Sequence, residues 1–277
     1  MATLDALPSW IQQRYEITDH LGHGKWTEVF LAHDRVRRDP FAIKILLEAY
    51  RDVPRIRSRF LTEAKAMSRL IHPNIIRIFD VGGALGEDPA IVMEYASGGD
   101  LRSYVRQNGV LTPHQAAQMT SHVLAGLAEA HAAGVVHRGI SPDSVLLDEH
   151  GIPKISDFGV ARLEQNPHAL MTISSESLGD YFYAAPEQLR NARDATVRSD
   201  IYAVGATLLY ALRGKDPKEL ALSAFMEDFW ESVVPALRPW LAKSAAYEPE
   251  GRYETVAQMS ADLDDLLRHW RDPKGDP

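Results

Sequence analysis

A lysine inside an apolar strand, a carboxylate on a nearby helix and two glycines ahead of both are the first residues here that could do chemistry. Phe41–Ala42–Ile43–Lys44–Ile45 is a short apolar run broken by one ammonium. Burying that charge unpaired is costly, so Lys44 calls for a carboxylate. Glu63 is a candidate. Arg59 to Leu70 carries Phe60, Met67 and Leu70 at helical spacing, and Glu63 lies near that face. A solvated surface ion pair accounts for the two residues equally well. Upstream, Tyr15 to Ala32 alternates loosely around Leu21–Gly22–His23–Gly24 and predicts a strand, a glycine turn and a second strand. Glycine amides can approach a phosphate closely. An ordinary hairpin also explains two glycines.

A second group lies further on. Val136–His137–Arg138–Gly139–Ile140–Ser141–Pro142–Asp143–Ser144–Val145–Leu146–Leu147 is followed by Ser156–Asp157–Phe158–Gly159. This pair of motifs resembles the catalytic loop and the metal-binding motif of protein kinases, H-R-D-L-x-x-x-N and D-F-G. The wording of Ser199–Asp200–Ile201–Tyr202 is most similar to bacterial Ser/Thr kinases. The resemblance spans Tyr15 to Arg271. It implies an α+β bilobal fold: a small β-rich lobe with one helix over about 12–95, a helical lobe over about 96–271, and a polar tail 272–277.

The same resemblance assigns an ATP or ADP site. Leu21, Gly22, Gly24 and Val29 belong to the glycine-rich loop, where Thr27 replaces the third glycine. Lys44 becomes the phosphate-facing lysine and Glu63 its partner. Met93, Glu94 and Ala96, within Met93–Glu94–Tyr95–Ala96, become the gatekeeper and hinge beside Ala42 and Leu146. Asp100 is placed for a ribose hydroxyl, though a helix N-cap is the plainer role and both can hold. Asp157 becomes a metal ligand. Met67, Ile78, His137 and Phe158 fall where the family stacks a hydrophobic spine. Asp200 would brace the catalytic loop, and Arg252 would pair with Glu187 of Ala185–Pro186–Glu187.

The departures fall in one polar cluster. Gly139 stands where the family has its catalytic aspartate. Ser144 stands at the second metal ligand, leaving a hydroxyl there. Ser141 replaces a lysine that steadies the transferring phosphate, and Asp180 replaces an activation-loop threonine. A general base is worth roughly 10²–10⁴-fold, and losing a metal position removes further charge stabilisation. The expectation is a pseudokinase that keeps nucleotide binding, with Mg2+ weak or absent, and works through a protein partner, an active kinase or its substrate. One alternative is a weakly active Ser/Thr kinase using Asp180 as a relocated base. Another is an interaction domain with a vestigial pocket. Thr172, Ser174, Ser175 and Ser177 make the segment after Gly159 a candidate phosphate receiver for Arg138.

Several elements must position these residues. Thr112–Pro113–His114–Gln115 predicts a capping box opening a helix that runs to about Ala133 and stops at Gly134. Val145–Leu147 and Ile152–Ile155 predict a hairpin. Ile75–Phe79 and Ala90–Tyr95 predict two strands around a loop with Gly82, Gly83 and Gly86. The run opened by Arg198 is nearly all apolar and predicts a helix buried on all sides. Thr255–Val256–Ala257–Gln258 predicts a second capping box, with Val256, Met259, Leu263, Leu266, Leu267 and Trp270 on one face. Arg51, Arg55, Arg57 and Arg59 are expected in the loop and early turn before the Glu63 helix, as a solvated basic face.

Composition narrows the class. The 277 residues are 45% hydrophobic and 25% charged, which suits a globular chain with a sizeable core. A net charge of −8 argues against a nucleic-acid binder. There is no cysteine, as suits a reducing cytoplasm. No basic and apolar leader opens the sequence. The apolar run Ile201 to Leu212 is too short to span a bilayer.

Overall fold

The computed structural model describes residues 7–24, 26–83, 88–158, 181–218, 220, 227–231 and 233–270. It divides into two compact units, Met1–Ala96 and Ser97–Pro277.

The first unit is a five-stranded antiparallel sheet in the order β1-β2-β3-β5-β4. Its strands are β1 (Tyr15–His23), β2 (Thr27–Asp34), β3 (Pro40–Leu46), β4 (Ile78–Gly82) and β5 (Ala90–Glu94). β2 alternates half-buried and buried residues along its length, the period-2 pattern of a strand with one face on a core. Phe30, Ala32, Ile43, Ile45, Ala90 and Val92 form that core. The short helix α1 (Ser9–Arg14), which sequence periodicity did not reveal, closes it with Leu7, Ile11 and Trp10. Trp10 packs against Gly82, where a Cβ would collide with the indole.

Two boundaries differ from expectation. The Glu63 helix, α3, runs Pro54–Met67, so Arg55, Arg57 and Arg59 lie inside it, while Arg51 ends the one-turn helix α2 (Glu48–Arg51). Pro54 at the first helical position starts α3 early, because its missing N–H costs nothing there. The basic face is also not simply solvated: Arg51 donates to Asp88 at 3.0 Å, and Arg57 binds the Gly83 carbonyl. Further on, Ile75 to Arg77 precede β4, which reaches to Gly82 instead of ending at Phe79.

The second unit is helical. α4 (Leu101–Asn108) and α5 (Pro113–Ala132) precede a two-stranded hairpin of β6 (Val145–Leu147) and β7 (Pro153–Ile155). α6 (Pro186–Arg190), α7 (Val197–Arg213), α8 (Arg238–Ser244) and α9 (Val256–Arg268) follow. The Thr112 capping box is complete, and Gly134 takes φ 75 just past the helix end. α7 buries every residue from Ser199 to Ala211. Its turns pack against α5 and α8, so it is the axis of this unit. The second capping box is only half formed. Thr255 accepts from Gln258 N at 3.2 Å, but the Gln258 side chain accepts from Glu254 N, one residue too early. Of the expected α9 face, Val256, Met259 and Leu263 are buried, and Trp270 lies beyond the helix end.

Candidate catalytic-loop and nucleotide site

In the first unit, strand register gathers several expected site residues on one sheet face. Val29 lies opposite both Gly22 and Lys44, and Lys44 opposite Ile91. Ala42 lies two residues along, opposite Met93. Directly opposed residues share a face, and so do residues two apart. Val29, Ala42, Lys44 and Met93 are therefore neighbours on one side of the sheet. The turn before them is tight, with Gly24 N donating to Thr27 O at 2.7 Å. Glu63 sits half-buried on α3, beside the buried Phe60, Ala64 and Met67.

Glu94 ends β5, and the hinge expected there would use backbone groups, not its side chain. It lies opposite Phe41, on the other sheet face, where its carboxylate accepts from Arg77 N at 3.1 Å. Its own N–H donates to Arg77 O at 2.8 Å. The Glu94 side chain thus fastens the chain ahead of β4 and is not part of the Lys44 face.

In the second unit the loop 137–144 is held by one buried carboxylate. Asp200, in the first turn of α7, accepts from His137 N at 2.8 Å and from Arg138 N at 2.7 Å. His131 in the last turn of α5 meets it at 2.8 Å. Three polar partners are what makes such complete burial tolerable. The brace holds Arg138 at φ 65, a left-handed conformation that a side chain disfavours, and Asp157 is at φ 56. His137 works as a strap. Its Nδ1 accepts from Gly139 N at 3.2 Å, which leaves the proton on Nε2 to donate to Ser156 O at 2.8 Å. Its ring packs 4.3 Å from that of Phe158, the contact expected of the spine residues in this unit.

The β6–β7 hairpin then brings the two motifs together. Val145 pairs with Ile155, and Ser156 N donates to Ser144 O at 2.8 Å, so Ser144 is bonded to the residue just before Asp157. The Ser144 hydroxyl is turned inward and closed on its own loop. It accepts from Ser141 N at 2.9 Å and donates to Ser141 O at 3.0 Å. Ser141, Ser144 and Gly139 are all buried, and Gly139 offers the site nothing but backbone.

Asp100 and Leu146 are also brought together. Gly98 N donates to Leu147 O at 2.9 Å, Leu147 N to Gly99 O at 2.8 Å, and Asp100 bridges to Leu146. The Asp100 carboxylate, however, caps α4. One oxygen accepts from Ser103 N at 2.7 Å and the other from Ser103 Oγ at 2.9 Å. Gly159, Thr172, Ser174, Ser175, Ser177 and Asp180 lie outside the described residues.

A network that spacing could not reveal joins this loop to α4 and α7. Arg102 donates to Asp143 at 2.8 Å and 2.9 Å and to Asp216 at 2.8 Å, and lies over the Tyr210 ring at 4.9 Å. Tyr183 donates to Asp216 at 2.7 Å. Burial alone would raise the Asp216 carboxyl, but the Arg102 and Tyr183 bonds outweigh it and hold the group below its ordinary value. Residues 102, 143, 183 and 216 have no periodic relation, so only the fold could group them. Glu187 and Arg252 do form the expected pair, bidentate at 2.7 and 2.9 Å, with Ser199 Oγ donating to Glu187 at 2.7 Å.

A sheet unit followed by a helical unit, with a braced H-R-x loop beside a D-F-x turn, defines a protein-kinase fold. The protein kinase domain model matches residues 15–270, and the chain belongs to that family. PrkC of Bacillus subtilis, named a serine/threonine-protein kinase, is 35% identical over 91% of this chain and 40% of its own length. PknB of Mycobacterium tuberculosis is 33% identical over 92% of this chain and 43% of its own length. The chain thus spans about two fifths of these curated relatives. Among solved structures, the PknI kinase domain of Mycobacterium tuberculosis superposes with TM-score 0.70 at 25% identity, over 96% of this chain and 100% of that one. Rad53 in complex with AMP-PNP has the same fold, with TM-score 0.73 at 23% identity over 93% of this chain and 66% of that one. No helix among the described residues is long and apolar enough to cross a membrane.

Proposed function

We propose that this chain is a pseudokinase: a kinase-fold module that binds ATP or ADP, transfers phosphate poorly or not at all, and acts through a protein partner. The observation that carries the reading is a glycine at 139, in a loop whose backbone is braced at His137 and Arg138 by Asp200 and at Gly139 by the His137 ring. A carboxylate at that place is what would accept the substrate hydroxyl proton. The inward-turned Ser144 hydroxyl supports weak metal dependence, because hard cations want several oxygens and Asp157 alone is a strong ligand. Bound Mg2+ would supply charge neutralisation at the phosphates. Val29, Ala42, Lys44 and Met93 on one sheet face support retained nucleotide binding. The natural partners are an active kinase or its substrate, and the absence of cysteine suits a cytoplasmic domain.

The names of the curated relatives favour a second reading, a weakly active Ser/Thr kinase with Asp180 as base. One sample separates the two. ATP is titrated calorimetrically with and without Mg2+, and transfer of labelled phosphate is then measured beside Lys44→Met and Asp180→Asn. Binding with no transfer above the Lys44→Met level is the expected result. Turnover that Asp180→Asn abolishes would establish the enzyme. No heat at millimolar ATP would leave only an interaction domain.

A further inference from the structure

The cleft between α1 and the β2–β3 turn is a cavity that the kinase reading does not use. It is open to solvent, has a volume of ≈ 410 Å³ and is lined by Trp10, Arg14, Asp34, Arg35 and Arg37 among others. That size falls within the range of small-ligand sites, about 300–1,000 Å³. In a chain of net charge −8, its lining carries three guanidiniums and one carboxylate, and Asp80 also acts electrostatically on Arg14.

The carboxylate is already committed. Asp34 accepts from Val36 N at 2.8 Å, Arg37 N at 3.0 Å and Arg14 Nε at 3.2 Å. Those bonds build the turn, and Arg38 N to Asp34 O at 2.8 Å completes it. Two of the guanidiniums hydrogen-bond through Nε, and that of Arg14 also lies over the Tyr15 ring at 5.1 Å. Arg14 is held by Asp34, and Arg35 Nε donates to Gln12 O at 3.3 Å. Their terminal nitrogens make no further hydrogen bond among the described residues, and the Arg37 guanidinium has no partner among them. Trp10 adds an aromatic side chain to the lining, and the absence of a Cβ at Gly82 leaves room for its indole.

We propose that this cleft binds a small phosphate monoester carrying a flat apolar group, at a site separate from the nucleotide site. Guanidinium groups match tetrahedral oxyanions through paired N–H donors, and Arg14 and Arg35, each already held through Nε, lose less freedom on binding than free side chains would. The Asp34 bonds leave the cleft a net attraction for anions, and the indole selects the organic part.

The test titrates phenyl phosphate into the Lys44→Met protein, which removes phosphate capture at Lys44. The Trp10 indole N–H is followed by nitrogen-15 correlation spectroscopy and assigned by its loss in Trp10→Phe. A saturable shift is expected, weakened about tenfold or more in Arg35→Ala/Arg37→Ala. Benzyl alcohol, which lacks the phosphate, should give no shift. Those two arginines flank Val36, which is 89% exposed, so the double variant should fold. Arg37→Glu, a single change at the unpartnered guanidinium, should weaken binding at least as far as Arg37→Ala. The proposal is overturned by no saturation up to ~10 mM, by an unchanged affinity in the arginine variants, or by an equal response to benzyl alcohol.

Discussion

Arg252 shows how much one side chain can hold. It is wholly buried, takes both oxygens of Glu187, and donates to the carbonyls of Ala246, Arg198 and Tyr247. Removing one partner of such a pair strands the other charge, at a cost of about 3–5 kcal/mol. Arg252→Met is therefore expected to lower the urea midpoint of unfolding sharply. Arg252→Lys should recover little, because an ammonium cannot reproduce the bidentate fork. Position 139 sets a second expectation. Gly139→Asp with Ser144→Asn should raise labelled-phosphate transfer, and Gly139→Asp alone should raise it less. A base contributes roughly 10²–10⁴-fold only when metal and phosphate are in place. A double variant that transfers no more than wild type would show that the residues at 139 and 144 are not what limits transfer.

At the scale of elements, α7 and α8 meet through Gly205. A Cβ there would strike Ser244 Oγ and come within 3.2 Å of Ser244 Cβ. The Ser244 hydroxyl donates to Leu241 O at 2.9 Å, so it is not free to swing away. Overpacking of this kind costs about 1–3 kcal/mol. Gly205→Ala should lower thermal stability, and Ser244→Ala added to it should restore part of the loss. A purely additive double variant would show that the two sites do not touch. The elements were largely legible beforehand. The strands alternate, α5 carries its capping box, and the apolar run of α7 announces burial. The capping pattern at Thr255 misled because Gln258 finds a backbone donor at Glu254 first. α1 went unread because a six-residue helix offers too little periodicity.

For the whole molecule, acid sensitivity follows from two carboxylates of the helical unit. Burial would raise Glu187, but the Arg252 and Ser199 bonds outweigh it, and Glu187 lies below its ordinary 4.5. Asp216 likewise lies below its ordinary 3.8. Groups whose folded value is depressed bind more protons when unfolded. Their contribution is complete above the ordinary values and drains away as pH falls through the lower, folded ones. The urea midpoint should hold near neutrality and fall below about pH 4.5. Asp216→Asn should remove part of that slope, and a midpoint that stays level to pH 3 would contradict the assignment.

The family, and the residue types that stand at its catalytic-loop positions, were both written in the order of residues. Spacing alone sets Gly139 two places after His137 and Asp157 eighteen after Gly139, and no tertiary contact changes what side chain a position carries. Local rules also sufficed where neighbours in sequence do the bonding, as at Thr112 and Asp100. What spacing could not decide is where a polar group spends its hydrogen bonds. The Ser144 hydroxyl turns inward, Glu94 faces Arg77 across the sheet, and Arg102 collects Asp143 and Asp216, which is 114 residues away. Those choices depend on which donors the packed chain brings within about 3 Å. That proximity is created by burial of the apolar faces, and exists only once the fold is formed.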